Sequence, residues 1–242
     1  MYHEDSEVFG TIRDMVERSH PFALLRFGDG EGIFCCGYSD FVKRYQQSSL
    51  KHWGQVPPLN YRYKIADDIL KAFIHADIVG LPYDFKGQWW QFALAQFLRI
   101  DKDVRTYPAY KCGLNIHIEL ERSGVLSELI KGREVVVVGS RDIVKRLRQF
   151  GAKQVEWVKI AGQYRFERTK PRTPFFMQLE HIERELTRMD LEGKLCLLGA
   201  GVAGKHLGII MRDRGGMVVD IGSVMDLWTG VMSRTWIKTA QQ

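Results

Sequence analysis

The 242-residue chain is 45% apolar and 26% charged, a balance that supports a large core and excludes a disordered or fibrous class. No apolar run reaches the ~18–20 residues of a membrane span. The mixed, acidic start MYHEDSEVFG does not read as a secretory signal, so a cytoplasmic location is expected. A net charge of +6 favours anionic partners.

In chain order, PFALLRF is a short apolar run ending at glycine and reads as a buried strand. The segment 38–60 has weak periodicity and is expected to form a loop or lid over a cleft. Residues 61–76 place Ile65, Ile69, Leu70, Phe73 and Ile74 on one helical face. ADIVGLP reads as a strand, WWQFALAQFL as an apolar helix, and VRTYPAY as a weak strand that Pro108 ends or confines to a sheet edge. Residues 114–130 read as helix with a break near Ser123-Gly124. REVVVVGS is the clearest strand, followed by a helix over 141–150 and the strand QVEWVKI. RFERTKPR, residues 165–172, reads as a basic loop before a helix over 174–190. KLCLLG is a strand, AGKHLGIIMRDRG a helix and MVVDIG a last strand, and the tail 223–242 is expected to be a helix that frays.

Strands separated by helices imply βαβ units, and continuous apolar strands such as VVVV imply a sheet covered on both faces. The expected fold is a Rossmann-like α/β domain, with a mostly parallel sheet and helices on both faces. No linker divides it, so residues 1–242 form one domain.

The four cysteines, Cys35, Cys36, Cys112 and Cys196, form no CxxC pair and read as reduced thiols. The basic residues are scattered rather than gathered in a block. The clustered basic and aromatic pattern of nucleic-acid readers is missing, so no sequence-specific nucleic-acid partner is expected. Contact between the basic surface and a membrane stays open, as does the oligomeric state.

LLGAGVAGK supplies Gly199, Gly201 and Gly204 in GxGxxG order between a strand and a helix. Such glycines let backbone N–H groups approach a diphosphate at a helix N-terminus. Lys205 adds a point charge in the first turn, and Asp220 stands where a ribose-binding acid would sit. This motif fits a dinucleotide, a mononucleotide or a nucleotide-sugar diphosphate.

LLRFGDGEG puts Asp29 and Glu31 two residues apart at a strand end. Ligands of open parallel sheets bind at the carboxyl ends of the strands. There the acid pair, the glycine loop and Ser140-Arg141 of VVVVGSRD would meet around one crevice. Two nearby carboxylates repel, and a hard divalent cation, Mg²⁺ or Mn²⁺, removes that penalty while taking substrate phosphates as further ligands. On this reading Gly28 and Gly30 let the backbone turn, and Arg26 pairs with one acid or contacts phosphate. The alternative is a solvent-exposed turn with a salt bridge to Arg26.

RFGDGE, GSRD, and LGAGVAGK followed by VVDIGSVMD resemble the blocks of the GT-D-type glycosyltransferases, in order and over nearly the whole chain. The resemblance implies a GT-D-type fold. It also implies a divalent metal and a nucleotide-sugar diphosphate at Asp29 and Glu31, and a role for Asp220, Ile221 and Gly222 as the family's DIG block. Many members carry histidine straight after that block, where this chain has Ser223; their following acid is matched by Asp226.

The resulting expectation is a metal-dependent transfer of sugar from a nucleoside diphosphate, UDP by preference, to a glycan, glycopeptide or lipid-linked acceptor. Asp29, Glu31 and Asp226 are the catalytic candidates, with Asp226 as general base. Arg26, Gly28, Gly30, Ser140, Arg141, the three loop glycines, Lys205, Asp220 and Ser223 bind the nucleotide. The rival is an NAD(P)-dependent oxidoreductase that uses the glycine loop and Asp220. His75, His117, His181 and His206 read as core or surface residues. Trp89 and Trp90 read as core, while Trp228 and Trp236 are expected near an acceptor and Trp53 in the lid.

Overall fold

The computed structural model describes residues 3–35, 42–104, 110–164, 173–234 and 236–237. In chain order the elements are α1 (Asp5–Glu17), β1 (Phe22–Arg26), α2 (Asp29–Cys35), α3 (Val42–Trp53), α4 (Leu59–His75), β2 (Ile78–Leu81) and α5 (Gln88–Val104). They continue with β3 (Tyr110–Gly113), α6 (Ile116–Arg122), α7 (Val125–Ile130), β4 (Glu134–Gly139), α8 (Val144–Gln149) and β5 (Gln154–Lys159). The last are α9 (Phe175–Arg188), β6 (Leu195–Gly199), α10 (Lys205–Asp213), β7 (Met217–Asp220) and α11 (Val224–Trp228).

The seven strands form one sheet in the order β3-β2-β1-β7-β6-β4-β5, and every pairing is parallel. Successive strand residues point to opposite faces, and both faces are covered. Ala23, Leu25, Val79, Val136, Val138, Leu198 and Val218 pack on α2, α4, α5, α9 and α10. Phe22, Leu24, Ile78, Val135, Val137, Leu197 and Val219 pack on α1, α6, α7, α8 and α11. This double burial is why the strands read as unbroken apolar runs.

α8 carries the chain from β4 to β5 on one face, with Leu147 in its core, and α10 carries it from β6 to β7 on the other, with Leu207 and Met211 buried. The crossovers on either side of the β4–β6 pair therefore leave in opposite directions, the arrangement that opens a crevice at the carboxyl edge. At that edge Gly139 pairs with Gly199. A Cβ on either would lie 2.6 or 2.5 Å from Met225 Sδ, so both glycines make room for α11.

Two expectations change, and one helix is added. The segment 38–60 contains a helix, α3, rather than a loop; Tyr45, Ser49 and Trp53 recur every fourth residue on its buried side, and the polar residues between them masked the period. In the tail, α11 ends before Gly230 at φ +72°, and residues 236–237 are again helical. α1 carries no motif, yet Val8, Ile12 and Val16 form a buried stripe. The basic segment 165–172, residues 105–109 of the weak strand, Cys36 and residues 238–242 of the tail lie outside the described residues. β3, which begins at Tyr110, is an edge strand.

Candidate functional site

A cavity of about 460 Å³ opens along the carboxyl edge, within the usual size of small-ligand sites. Arg26, Gly28, Asp29, Gly30, Glu31, Ser140, Arg141, Gly199, Gly201, Lys205, Asp220, Ser223 and Asp226 all line it. Gly204 does not, and lies behind the loop against Ala200 and Phe175. The acid motif and the glycine loop thus share one edge, although more than 160 residues separate them in sequence.

Asp29 and Glu31 stand in the first turn of α2, not in a turn outside a helix. Two residues apart on a helix, side chains do not face each other, and the two acids have different surroundings. Glu31 is buried; its Oε2 accepts the Gly28 N–H at 2.9 Å, and its Oε1 lies 3.4 Å from Lys205 Nζ. That back-bond satisfies an amide at the start of the helix, as in a capping box. Asp29 is one-third exposed and has Arg44 Nη2 at 3.8 Å. Burial, then the charge of Glu31, raises its pKa above the usual carboxylate range.

Neither Gly28 nor Gly30 has a positive φ. Their service is close approach: a Cβ on Gly28 would meet Trp90 at 3.0 Å, and one on Gly30 would meet Val202 at 2.9 Å. The latter contact seats α2 directly on the glycine loop. Gly201, at φ +63° and ψ −157°, holds a conformation that side chains avoid, and it turns the chain into the 3-10 turn Val202–Gly204 ahead of α10.

Arg26 does not pair with Asp29 or Glu31 as expected. It reaches across to β7, where Nη2 contacts Asp220 Oδ1 at 3.1 Å and Nε donates to the Asp220 carbonyl at 3.1 Å. Gly222 makes this possible, since its missing Cβ would lie 2.0 Å from Arg26 Nη2. Lys205 Nζ donates to Asp220 Oδ2, which also accepts the Arg26 N–H at 3.3 Å. Asp220 is 2% exposed. Burial opposes its charge, but Arg26 and Lys205 outweigh that and hold its pKa well below the carboxylate range. Both oxygens of Asp220 are thus engaged by basic side chains at the floor of the cavity.

His117 on α6 was not singled out from sequence. It is buried, its ring nitrogens lie 2.9 and 3.0 Å from Arg26 Nη1, and Nε2 is 3.4 Å from Ser223 Oγ. Burial and the adjacent guanidinium push its pKa well below the ordinary histidine value, so it is neutral at pH 7. Asp226, expected as a base, accepts from Arg141 Nε at 2.8 Å and from the Ser233 hydroxyl at 2.6 Å.

Aromatic residues sort differently from expectation. Trp90 lines the cavity instead of the core, with its ring 4.5 Å from that of Phe85. Trp236 lines it too; Trp228 instead packs on Phe150 and donates to Glu121 at 2.7 Å. Trp53 is buried against Phe34 and Phe176 while bordering the cavity. Cys112 and Cys196 are core thiols that burial pushes up to about 12. Among the described lining residues six are basic and four acidic, a surplus that suits an anionic ligand.

No described helix is long and apolar enough to cross a membrane. A search of curated proteins finds no match. Among solved structures the chain is similar to the domain of unknown function 1792, described as highly conserved with a distinct glycosyltransferase fold. That likeness has 18% identity and a TM-score of 0.63, covering 99% of this chain and 82% of the other. It is also similar to a new glycosyltransferase (DUF1792) from Streptococcus sanguinis, at 18% identity and a TM-score of 0.58, covering 96% and 84%. The all-parallel, seven-stranded sheet is thus a glycosyltransferase fold. The model of the GT-D fold-like domain matches residues 3–228, and the chain belongs to that GT-D-like family.

Proposed function

We propose that this chain is a divalent-metal-dependent glycosyltransferase that moves a sugar from a nucleoside diphosphate, UDP by preference, to a glycan, glycopeptide or lipid-linked acceptor. The observation that carries this reading is the meeting of Asp29 with the glycine loop and the N-terminus of α10 across one net-basic cavity.

The donor set fits a hard cation in part. Asp29 is accessible and carries an ionisation penalty that a cation would relieve. Glu31 is committed to Gly28 and Lys205, so Asp29 is the principal ligand, and Glu31 joins only by releasing Lys205. Mg²⁺ and Mn²⁺ accept such sites because they retain waters and take substrate phosphates. The bound ion supplies Lewis-acid stabilisation of charge on the departing diphosphate.

The protein's own groups do the rest. Backbone amides of Gly199–Gly201 and the α10 terminus receive the diphosphate, at roughly 0.3–1 kcal/mol from the helix dipole and up to ~2 when partly buried. Arg141, held by Asp226, adds a fixed guanidinium there. Both carboxylate oxygens of Asp226 are engaged, one by Arg141 and the other by Ser233, so we assign Asp226 chiefly to positioning Arg141. Neutral His117 and Arg26 form the floor beside Ser223. The half-buried Trp90–Phe85 pair offers a flat apolar wall for a base or sugar ring. α3, which contributes Arg44, Lys51 and His52 to the rim, takes the place given to a lid.

Donor hydrolysis across a panel of nucleotide sugars, with and without Mn²⁺, tests the reading. Turnover that requires the ion and is lost in Asp29→Asn supports it. Turnover indifferent to chelator and to that substitution, or a thermal shift with NAD(P) alone, overturns it.

A further inference from the structure

Behind the cavity, in the helical layer, Asp68 of α4, Glu183 of α9 and His206 of α10 converge, with their ligand-type atoms all within 4.8 Å of one another. None of the three lines the cavity. The imidazole stands between the carboxylates: Nε2 is 2.7 Å from Glu183 Oε1, and Nδ1 faces Asp68 Oδ2 at 3.6 Å. His206 is 8% exposed, and its Nδ1 is buried with no hydrogen-bond partner among the described residues.

Nε2 is engaged by Glu183, while the buried Nδ1 faces an Asp68 oxygen at a distance too long for a hydrogen bond. A buried polar atom without a partner is uncommon in a native interior. A cation seated among the two carboxylates and the ring would give this side chain a defined partner. Lys64 shows that a cation is favoured close by, with Nζ 2.9 Å from Asp68 Oδ2 and 2.9 Å from Glu183 Oε1. Its side chain is 30% exposed while that of Asp68 is 10% exposed, so the ammonium can swing into solvent and the acid cannot.

We propose that Asp68, Glu183 and His206 form a second metal site, of the zinc type, in which Lys64 holds the place of the ion when metal is absent. One imidazole and two carboxylates are a common zinc set, and three protein ligands leave the fourth position to water. Two carboxylates and a neutral imidazole exactly balance a dication once Lys64 withdraws. Tetrahedral zinc needs ligand atoms roughly 3.3 Å apart, so Nε2 and Glu183, now at 2.7 Å, would part slightly while the wider separations, all within 4.8 Å, would close. The ion ties α4, α9 and α10 together. Lys205, which clasps Glu31 and Asp220, is the residue next to His206, so the ion also braces the cavity floor. The site stands independently of the transferase reading.

The test uses the full chain, stripped by chelator and titrated with Zn²⁺ alone, with metal uptake read by equilibrium dialysis and stability by Tm. Uptake of an ion at this site with a Tm rise of roughly 5–10 °C at about a hundredfold excess over Kd is expected. Asp68→Asn and Glu183→Gln should each weaken that uptake about tenfold or more. Lys64→Met, which removes the competitor and leaves all three ligands, should tighten it, and Asp29→Asn should retain it. The proposal is overturned if neither the wild type nor Lys64→Met, both folded by circular dichroism, takes up zinc at about 100 μM. It is equally overturned if uptake ignores Asp68→Asn and Glu183→Gln, or if a proton alone fills the gap, with acidification raising Tm and zinc leaving it unchanged.

Discussion

Two adjacent residues of α10 stand in two charge clusters of different design. Lys205 belongs to the cavity floor, where Asp220 is 3% and Arg26 12% exposed at the side chain, and where His117 closes the group from α6. His206 belongs to the helical layer, where Glu183 is 23% and Lys64 30% exposed. The first cluster has every described oxygen of Asp220 and Glu31 engaged and no slack. The second has an orphaned imidazole nitrogen and a cation on a long, partly solvated stem. The comparison teaches that the floor is fully paired and fixed, whereas the helical cluster pairs its acids through a cation that solvent can reach.

The sharpest way to break this contrast is Lys205→Met. It strands Glu31 and Asp220 as buried carboxylates without their shared ammonium, and removing one partner of a buried ion pair costs about 3–5 kcal/mol. Chemical denaturation should show that loss, with donor turnover abolished; the exposed-stem counterpart, Lys64→Met, should cost far less. Asp29→Asn comes next. Donor turnover should fall on the order of 10²–10³-fold, yet Tm of the metal-free protein should not fall. A raised pKa means that Asp29 favours folding when protonated and loses that contribution as pH rises through its folded pKa, so an uncharged amide is tolerated at neutral pH.

Gly222→Ala should cost about 1–3 kcal/mol, because the residue sits at φ +44° and its new methyl would displace the Arg26 guanidinium. A structure of the variant should show Arg26 drawn away from Asp220. The smallest effect separates the clusters by pH. Glu183 is lowered to about 2, chiefly by its bond to His206. Its contribution is therefore complete above the unfolded value near 4.5 and is lost as pH falls from there toward about 2. Glu183→Gln should flatten that part of the acid limb in a pH series of denaturation midpoints, while leaving the contribution of Asp220, which is lowered further, in place.

Much of the fold was legible because it rests on local pattern. Strands buried on both faces must be continuous apolar runs, and VVVV and LCLL are such runs. The break at Ser123-Gly124 was legible too, since Gly124 takes φ +78° between α6 and α7. α3 was hidden because a helix at a cavity rim buries only every fourth residue and exposes polar ones between. Of the cavity lining, the acid motif, the glycine loop and Ser140-Arg141 were legible from their position at strand ends, and Asp226 from the resemblance to the family's blocks. His117 and the Asp68–Glu183–His206 group were not, because each lies on a helix whose local sequence carries no spacing that distinguishes a ligand or a floor residue from an ordinary polar one.

The sequence by itself determined a covered parallel sheet and the edge at which its chemistry gathers, since hydrophobic period and glycine placement act within a few residues. Which charge meets which was decided only by the tertiary structure. Arg26 chooses Asp220 over the acids three and five residues away, because Gly222 opens a path across β7 while the turn of α2 carries Asp29 and Glu31 elsewhere. Pairing of buried charges depends on distance and desolvation in three dimensions, and neither is written in the order of the residues.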